Sequence, residues 1–295
     1  MADPHSDPLD PEVLFHHVQD STYFEFPQAL GGKLEIPQPF QLSSPIIPAI
    51  PDKHFEAFDL TITKFMVLEL IAAALLIIIC VPIARRLFSG QPPKGRLANL
   101  LEAILLFIRD DVARPAIGKH DADRFLPFLW TMFFFVLACN LLGLVPWAGS
   151  ATAALACTGV LALCSFAVVL GSGMSTLGKV GFWKAQVPHM DLPFVLAIFL
   201  LPMIFLIEIL GLFIKHGVLA VRLMANMLAG HLVLAVLLAF IAASASMPLA
   251  WYGVASASVL GATALMLLEL FVALLQAYIF TFLTALFIGM AVHSH

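Results

Sequence analysis

Between Val221 and His231 the sequence reads VRLMANMLAGH, which sets an arginine, an asparagine and a histidine inside an otherwise apolar run. Arg222 and Asn226 are four residues apart and so share one face of a helix. Ala225 and Ala229 beside them are small enough to let another helix approach closely. His231 follows Arg222 by nine residues, about half a turn out of phase and roughly 13 Å along the axis, so it looks elsewhere. In the last apolar stretch Glu269 and Gln276 are seven apart and share a face, with Tyr278 nearby. Glu208 is the other acid deep in an apolar run, and Lys215 and His216 lie about two turns after it.

An arginine at the centre of a membrane helix costs roughly 2.5–3.5 kcal/mol on insertion scales, so Arg222 calls for a compensating role. A guanidinium does not deprotonate in proteins, so Arg222 cannot carry protons, but it can act as a fixed positive charge. A carboxylate brought against it would have its pKa lowered by about 1–3 units. Such a site strips a proton from a passing acid and blocks free cations. His231 and Glu269 do titrate and suit a relay between water and that site. Residue types alone leave other roles open. Arg222 and a glutamate could form a buried structural ion pair. His231 could be a hydrogen-bonded core histidine, and Asn226 and Gln276 could join helices by hydrogen bonds.

These residues need long apolar helices to hold them. Of the 295 residues 61% are hydrophobic, too many for a water-soluble domain to cover with polar surface, so the chain is expected to be an integral membrane protein. Charge is distributed unevenly. Residues 1–60 hold ten Asp and Glu against Lys33 and Lys53, whereas Arg85 to Arg124 holds eight Lys and Arg. From Phe125 onward only seven Asp, Glu, Lys or Arg remain, including Lys179, Lys184 and Asp191. Cys80, Cys139, Cys157 and Cys164 all lie in apolar runs without metal-ligand spacing and read as small core hydrophobes. The opening MADPHSDPLD lacks the basic and apolar regions of a cleaved signal peptide.

The expected fold is all-α and polytopic, with about five membrane-inserted helices, one amphipathic surface helix, and the last two helices forming a long, strongly tilted hairpin. Residues 1–60, rich in proline and acid, read as an extended arm, and 61–295 as the membrane domain. A first span covers 64–84 and ends at Arg85-Arg86 before the breaker SGQPP. In 94–115 apolar residues at helical spacing alternate with charges, the pattern of a helix lying on the membrane surface. Glu102, Arg109, Asp110 and Asp111 form its wet face. A helical hairpin spans 125–171, turned at the uncharged WAGSA. A polar loop follows, SGMSTLGKVGFWKAQVPHMD, and then long helices over 193–292. Its segments 217–247 and 251–292 exceed the ~20 residues of an upright span, and steep tilt would let Arg222, His231 and Glu269 line a polar cleft instead of facing lipid. The basic segment Arg85–Arg124 belongs in the cytoplasm by the positive-inside rule, with the N-terminus outside and the HSH tail inside.

Two stretches, IEILGLFIKHGVLAVRLMANMLAGHLVL and LLELFVALLQAYIFTFLTALFIGMAV, closely resemble the two long C-terminal helices of the a subunit of F-type ATP synthases. The likeness is most specific around RLMANMLAGH and LLQAYIF, and extends more loosely through MFFFVLACNLLGLVPW and GRLANLLEAI. The first 60 residues lie outside it. The resemblance implies a proton-translocating stator subunit, with Arg222 facing a rotating ring of c subunits that each bear a carboxylate. Asn226, His231, Glu269 and Gln276 would line a half-channel from the outside, and Glu208 one from the inside. Asn140 matches a polar position with weaker functional meaning, and Lys215, His216 and Tyr278 are secondary candidates. Peripheral-stalk b subunits and the lipid bilayer are the other implied partners.

Three departures stand out against that family. Many members carry Glu where this chain has His231 and His where it has Glu269, so the acid and the imidazole appear exchanged. Many also carry Asp near NLLGLVPW, where this chain has Gly143 and Trp147. Lys215 is commonly followed by Pro and here by His216, which adds a titratable group on the inward side. No P-loop is present, so nucleotide chemistry is expected on partner subunits and the chain is not expected to be an enzyme by itself; no nucleic acid, metal or cofactor is expected on it either. A proton-coupled secondary transporter is the rival reading, but no internal repeat with interrupted helices is visible. A haem carrier needs paired intramembrane histidines, and only His231 is deep. Size and the absence of a transit peptide point to a bacterial inner membrane.

Overall fold

The computed structural model describes residues 20–25, 32–38, 61–88, 95–145, 148–186, 194–246 and 248–293. Most of the N-terminal arm, with Trp147 and Asp191, lies outside them. The described chain is built from helices: α1 (Lys64–Phe88), α2 (Arg96–Phe107), a π-helical segment (Ile108–Ala113), α3 (Arg114–Ile117), α4 (Ala122–Gly143), α5 (Leu155–Leu177), α6 (Lys179–Ala185), α7 (Phe194–Ala243) and α8 (Pro248–Val292). Two three-residue strands, β1 (Tyr23–Glu25) and β2 (Lys33–Glu35), pair antiparallel with Phe24 opposite Leu34. Helices α1, α4, α5, α7 and α8 are long and apolar enough to cross a membrane. On α1, Leu70 is 68% exposed and Ile78 71%, a surface that suits hydrocarbon and not water. The chain is an all-α integral membrane protein.

Four features differ from the expectations above. As far as Ala185 the polar stretch after Gly171 is helical and not a loop: α5 runs on to Leu177, and α6 follows directly after Gly178, while 187–191 lie outside the described residues. The segment 217–247 does not begin at Gly217, because α7 runs unbroken through Lys215, His216 and Gly217 for 50 residues. A lone interior glycine costs only about 1 kcal/mol, too little to end a helix this apolar. The surface helix changes hydrogen-bond register over Ile108–Ala113. Within the arm, read as extended, 23–25 and 33–35 pair as two antiparallel strands.

At 50 and 45 residues, α7 and α8 are roughly 75 and 68 Å long, more than twice the ~30 Å hydrocarbon thickness. They must lie steeply inclined or project far beyond the bilayer.

By its contacts the chain divides into two compact units. One comprises 1–74, 139–154 and 227–269. In it the arm caps the start of α1. The Lys64 amide donates to the Ser21 carbonyl at 2.8 Å and the Phe65 amide to Asp20 Oδ1 at 3.3 Å, satisfying two of the N–H groups a helix start leaves open. Gln38 brackets Ile62, accepting from its amide and donating to its carbonyl, each at 2.8 Å.

The other unit comprises 75–138, 155–226 and 270–295. Its core joins α2 to α6, the lower part of α7 and the end of α8, around Leu129, Val136, Leu223, Phe280 and Ile288. Trp130 Nε1 donates to the Leu105 carbonyl at 3.1 Å, fixing the surface helix to α4. Gly289 admits the backbone of α3: a Cβ there would meet the Ala116 carbonyl, so α8 and α3 pack backbone to backbone. Ser165 and Thr284 hydroxyls meet at 3.0 Å between α5 and α8.

Candidate functional site

The polar groups of α7 and α8 fall into both units. In the second, Arg222 is half-buried on α7, with Asn226 one turn further along the same face. Asn226 Nδ2 donates to Gln276 Oε1 at 3.1 Å, which ties α7 to α8 beside the arginine. Gln276 is 2% exposed, and its Nε2 is buried without an acceptor. Arg222 Nε and Nη2 are likewise buried without acceptors. Among the described residues Arg222 forms no ion pair. Two buried guanidinium donors without acceptors carry the full desolvation penalty, on the order of 1–3 kcal/mol each or more. The arrangement suits an anionic acceptor.

In the first unit Glu269 is 4% exposed, and its Oε1 is buried without a donor. Its carboxyl lies against Gly230, where a side-chain Cβ would fall on Oε1 and 2.9 Å from Cγ. Gly230 precedes His231, whose Nε2 is also buried and unpartnered. A glycine at 230 is therefore what allows an acid on α8 to lie against α7 at this level. The sequence placed His231 and Glu269 in one path; the glycine that accommodates the acid was not singled out. Only a small residue next to a titratable one hinted at it.

Asn140 is fully buried and accepts at Oδ1 from the Thr152 hydroxyl at 2.8 Å, while Ser150 donates to Thr152 at 2.9 Å. That chain of bonds joins the end of α4 to the turn before α5, a structural use. The Tyr278 ring packs on Phe107 and Phe282 at 5.8 and 5.9 Å between centroids, within the aromatic packing range. Two residues from Gln276, it faces another side of α8. Glu208 and Lys215 are exposed on α7. His216 is 4% exposed, between Phe166 and Phe287. Among the described residues no cluster of His, Cys, Asp and Glu could hold a metal ion.

Outside the spans, the wet face of the surface helix forms a charge network. Arg109 Nε and Nη2 donate to the two Asp110 carboxylate oxygens at 3.0 Å, and Arg114 Nη1 donates to Asp110 Oδ1 at 2.7 Å. The Arg109 hydrogen bonds hold the Asp110 carboxyl below the usual aspartate range, and the same bonds raise the Arg109 guanidinium.

Together these features define a polytopic helical membrane protein that, among the described residues, leaves a guanidinium, an imidazole and a carboxylate on two very long helices without an ion pair. Sequence comparison specifies the family. Residues 66–289 match the family model described as ATP synthase A chain. The chain is 43% identical over 249 residues to ATP synthase subunit a of Myxococcus xanthus, covering 83% of this chain and 78% of the relative. It is 41% identical over 288 residues to the Chloroherpeton thalassium ATP synthase subunit a, with 96% and 78% covered. The Anaeromyxobacter dehalogenans (strain 2CP-C) ATP synthase subunit a is 39% identical over 286 residues, with 96% and 71% covered. The chain belongs to the ATP synthase A chain family, a membrane-sector subunit of the F-type ATP synthase.

Proposed function

We propose that this chain is the proton-translocating stator of an F-type ATP synthase, a non-catalytic subunit whose Arg222 separates two offset half-channels at the face of a rotating ring of c subunits. The observation that carries the reading is Arg222 itself: a permanent cation within an apolar helix, with Nε and Nη2 buried and lacking acceptors. The acceptor is a carboxylate on the ring. An ionised carboxylate is prohibitively costly in hydrocarbon, so a ring acid turns through lipid only when protonated. Opposite Arg222 it ionises, releasing its proton to one path and taking another from the opposite path. Ion flow then requires rotation, driven by about 2.3 kcal/mol per charge per 100 mV.

Asn226 and Gln276 hold α7 and α8 together at the crossing point. Glu269, accommodated by Gly230, and His231 relay protons along the outer half-channel, and Glu208 serves the inner one. The membrane domain, 61–295, carries this path. The chain resides in a bacterial inner membrane, N-terminus outside and C-terminus cytoplasmic, with b subunits of the peripheral stalk beside it and nucleotides bound only by partner subunits.

The test is ATP-driven proton pumping in inverted membranes carrying the assembled complex, with wild type against Arg222→Ala. The reading expects ATP hydrolysis with no coupled pumping in the variant. Pumping at the wild-type rate would leave Arg222 as a packing charge and overturn it.

A further inference from the structure

Among the described residues His216 is a buried titratable group that the path above does not use. It stands on α7 six residues before Arg222, roughly 9 Å along the axis, and is 4% exposed. Its ring is fixed on three sides. Nδ1 lies 2.9 Å from the Leu212 carbonyl one turn back. Phe166 of α5 meets it edge-on at 5.1 Å between centroids, and Phe287 of α8 lies at 5.0 Å. Phe213 in turn packs on Phe166 at 5.0 Å.

The Leu212 bond determines the protonation pattern. A carbonyl only accepts, so Nδ1 must carry the hydrogen. In the neutral ring Nε2 then bears a bare lone pair, and that atom is buried without a partner. An unpaired acceptor in a packed interior costs on the order of 1–3 kcal/mol. Phenylalanine would fit between the two rings without that cost, so packing does not account for the imidazole.

We infer that His216 is a proton-holding group of the inward path, taking up and returning a proton at Nε2 between the cytoplasm and Arg222. The step is balanced at one atom: the Nε2 lone pair binds a proton delivered by water, the ring becomes a cation, and the same proton leaves from Nε2. The Leu212 carbonyl keeps the Nδ1 hydrogen in place, so the ring does not pass protons from one nitrogen to the other. It is a stop beside the path and not a wire within it. The groups facing the ring from α5 and α8 are the uncharged Phe166 and Phe287, and the charge acting on it is that of Lys215, its own neighbour. On this proposal the proton at Nε2 exchanges with water on the inward side. The inference rests on the stator reading above.

The test uses the assembled complex in liposomes, with ATP synthesis driven by an imposed proton gradient at a series of cytoplasmic-side and outer-side pH values. His216→Asn keeps an amide at the position of Nδ1 and removes Nε2. His216→Gln places an amide near Nε2 that does not titrate, and His216→Phe fills the space alone. The expected result is normal assembly with turnover lowered on the order of tenfold, below the ~10²–10⁴ of an obligatory acid or base. The dependence on cytoplasmic-side pH should flatten in all three, with the outer-side profile unchanged. Wild-type rates and profiles would overturn the inference, as would loss of assembly in all three, which would assign His216 to packing. Arg222→Ala run alongside separates the two levels. If it still pumps, the stator reading fails; if it does not and the His216 variants behave as wild type, only the present inference fails.

Discussion

Replacing Gly230 by alanine tests the placement of the buried acid. The new Cβ would lie 2.9 Å from Glu269 Cγ and closer still to Cδ and Oε1. Ordinary van der Waals contact needs about 3.5–4.0 Å, so the acid must move by at least ~0.6 Å at Cγ and further at the carboxyl. Glu269 is 4% exposed and has little free space to move into. Overpacking of this kind costs about 1–3 kcal/mol, and leaving the rotamer well adds ~0.5–1.5 kcal/mol. Against this, alanine gains about 1 kcal/mol in helix propensity over glycine. The net loss is then on the order of 1–3 kcal/mol, borne by the contact between α7 and α8 next to His231. Pumping by Gly230→Ala should fall with the subunit still present in the membrane, because the acid leaves its position before the helices part. Glu269→Asp shortens the side chain by one methylene, so the double variant should pump better than Gly230→Ala alone. Wild-type pumping in Gly230→Ala, or a double variant that behaves as the sum of two independent losses, would refute the packing argument.

Two further outcomes follow from the geometry. Asn226→Ala removes the donor to Gln276 and should lower the thermal stability of the purified complex by about 0.6–2 kcal/mol, with a double-mutant cycle against Gln276→Ala giving a coupling of about the same size. For Asp110 the folded-state carboxyl lies below the ordinary aspartate value of 3.8, so its ion pairs support the π-helical segment fully at pH well above 3.8 and lose that support as pH falls through the depressed value. Protection of residues 108–113 against hydrogen exchange, referred to the intrinsic amide rate at each pH, should therefore fall on acidification below pH ~4, and Asp110→Asn should abolish that dependence.

Much of the architecture could be read from the sequence, because a bilayer sets simple length and polarity rules. Runs such as KFMVLELIAAALLIIICVPIA declare a span whatever they pack against. Continuity of α7 was not legible: Lys215-His216-Gly217 looks like a break, and only the flanking apolar helix overrides it. Strands of three residues, YFE and KLE, are too short to show alternation, so the hairpin was missed. Among the site residues, periodicity put Arg222 with Asn226 and Glu269 with Gln276 on common helix faces. It could not pair Asn226 with Gln276, 50 residues apart, or Glu269 with Gly230, because such contacts depend on how α7 and α8 meet. It also could not assign Tyr278 to an aromatic cluster or Asn140 to Thr152, since each partner lies on another element.

The central claim is that a fixed positive charge keeps two proton paths apart. Its most direct test is passive proton conductance through the membrane sector, after the catalytic sector has been removed, in vesicles with an imposed potential. Arg222→Ala should leave protons able to cross without rotation, seen as conductance that persists when the ring is cross-linked to the stator, whereas cross-linking should stop conductance in the wild type. Conductance blocked equally by the cross-link in both would contradict the claim.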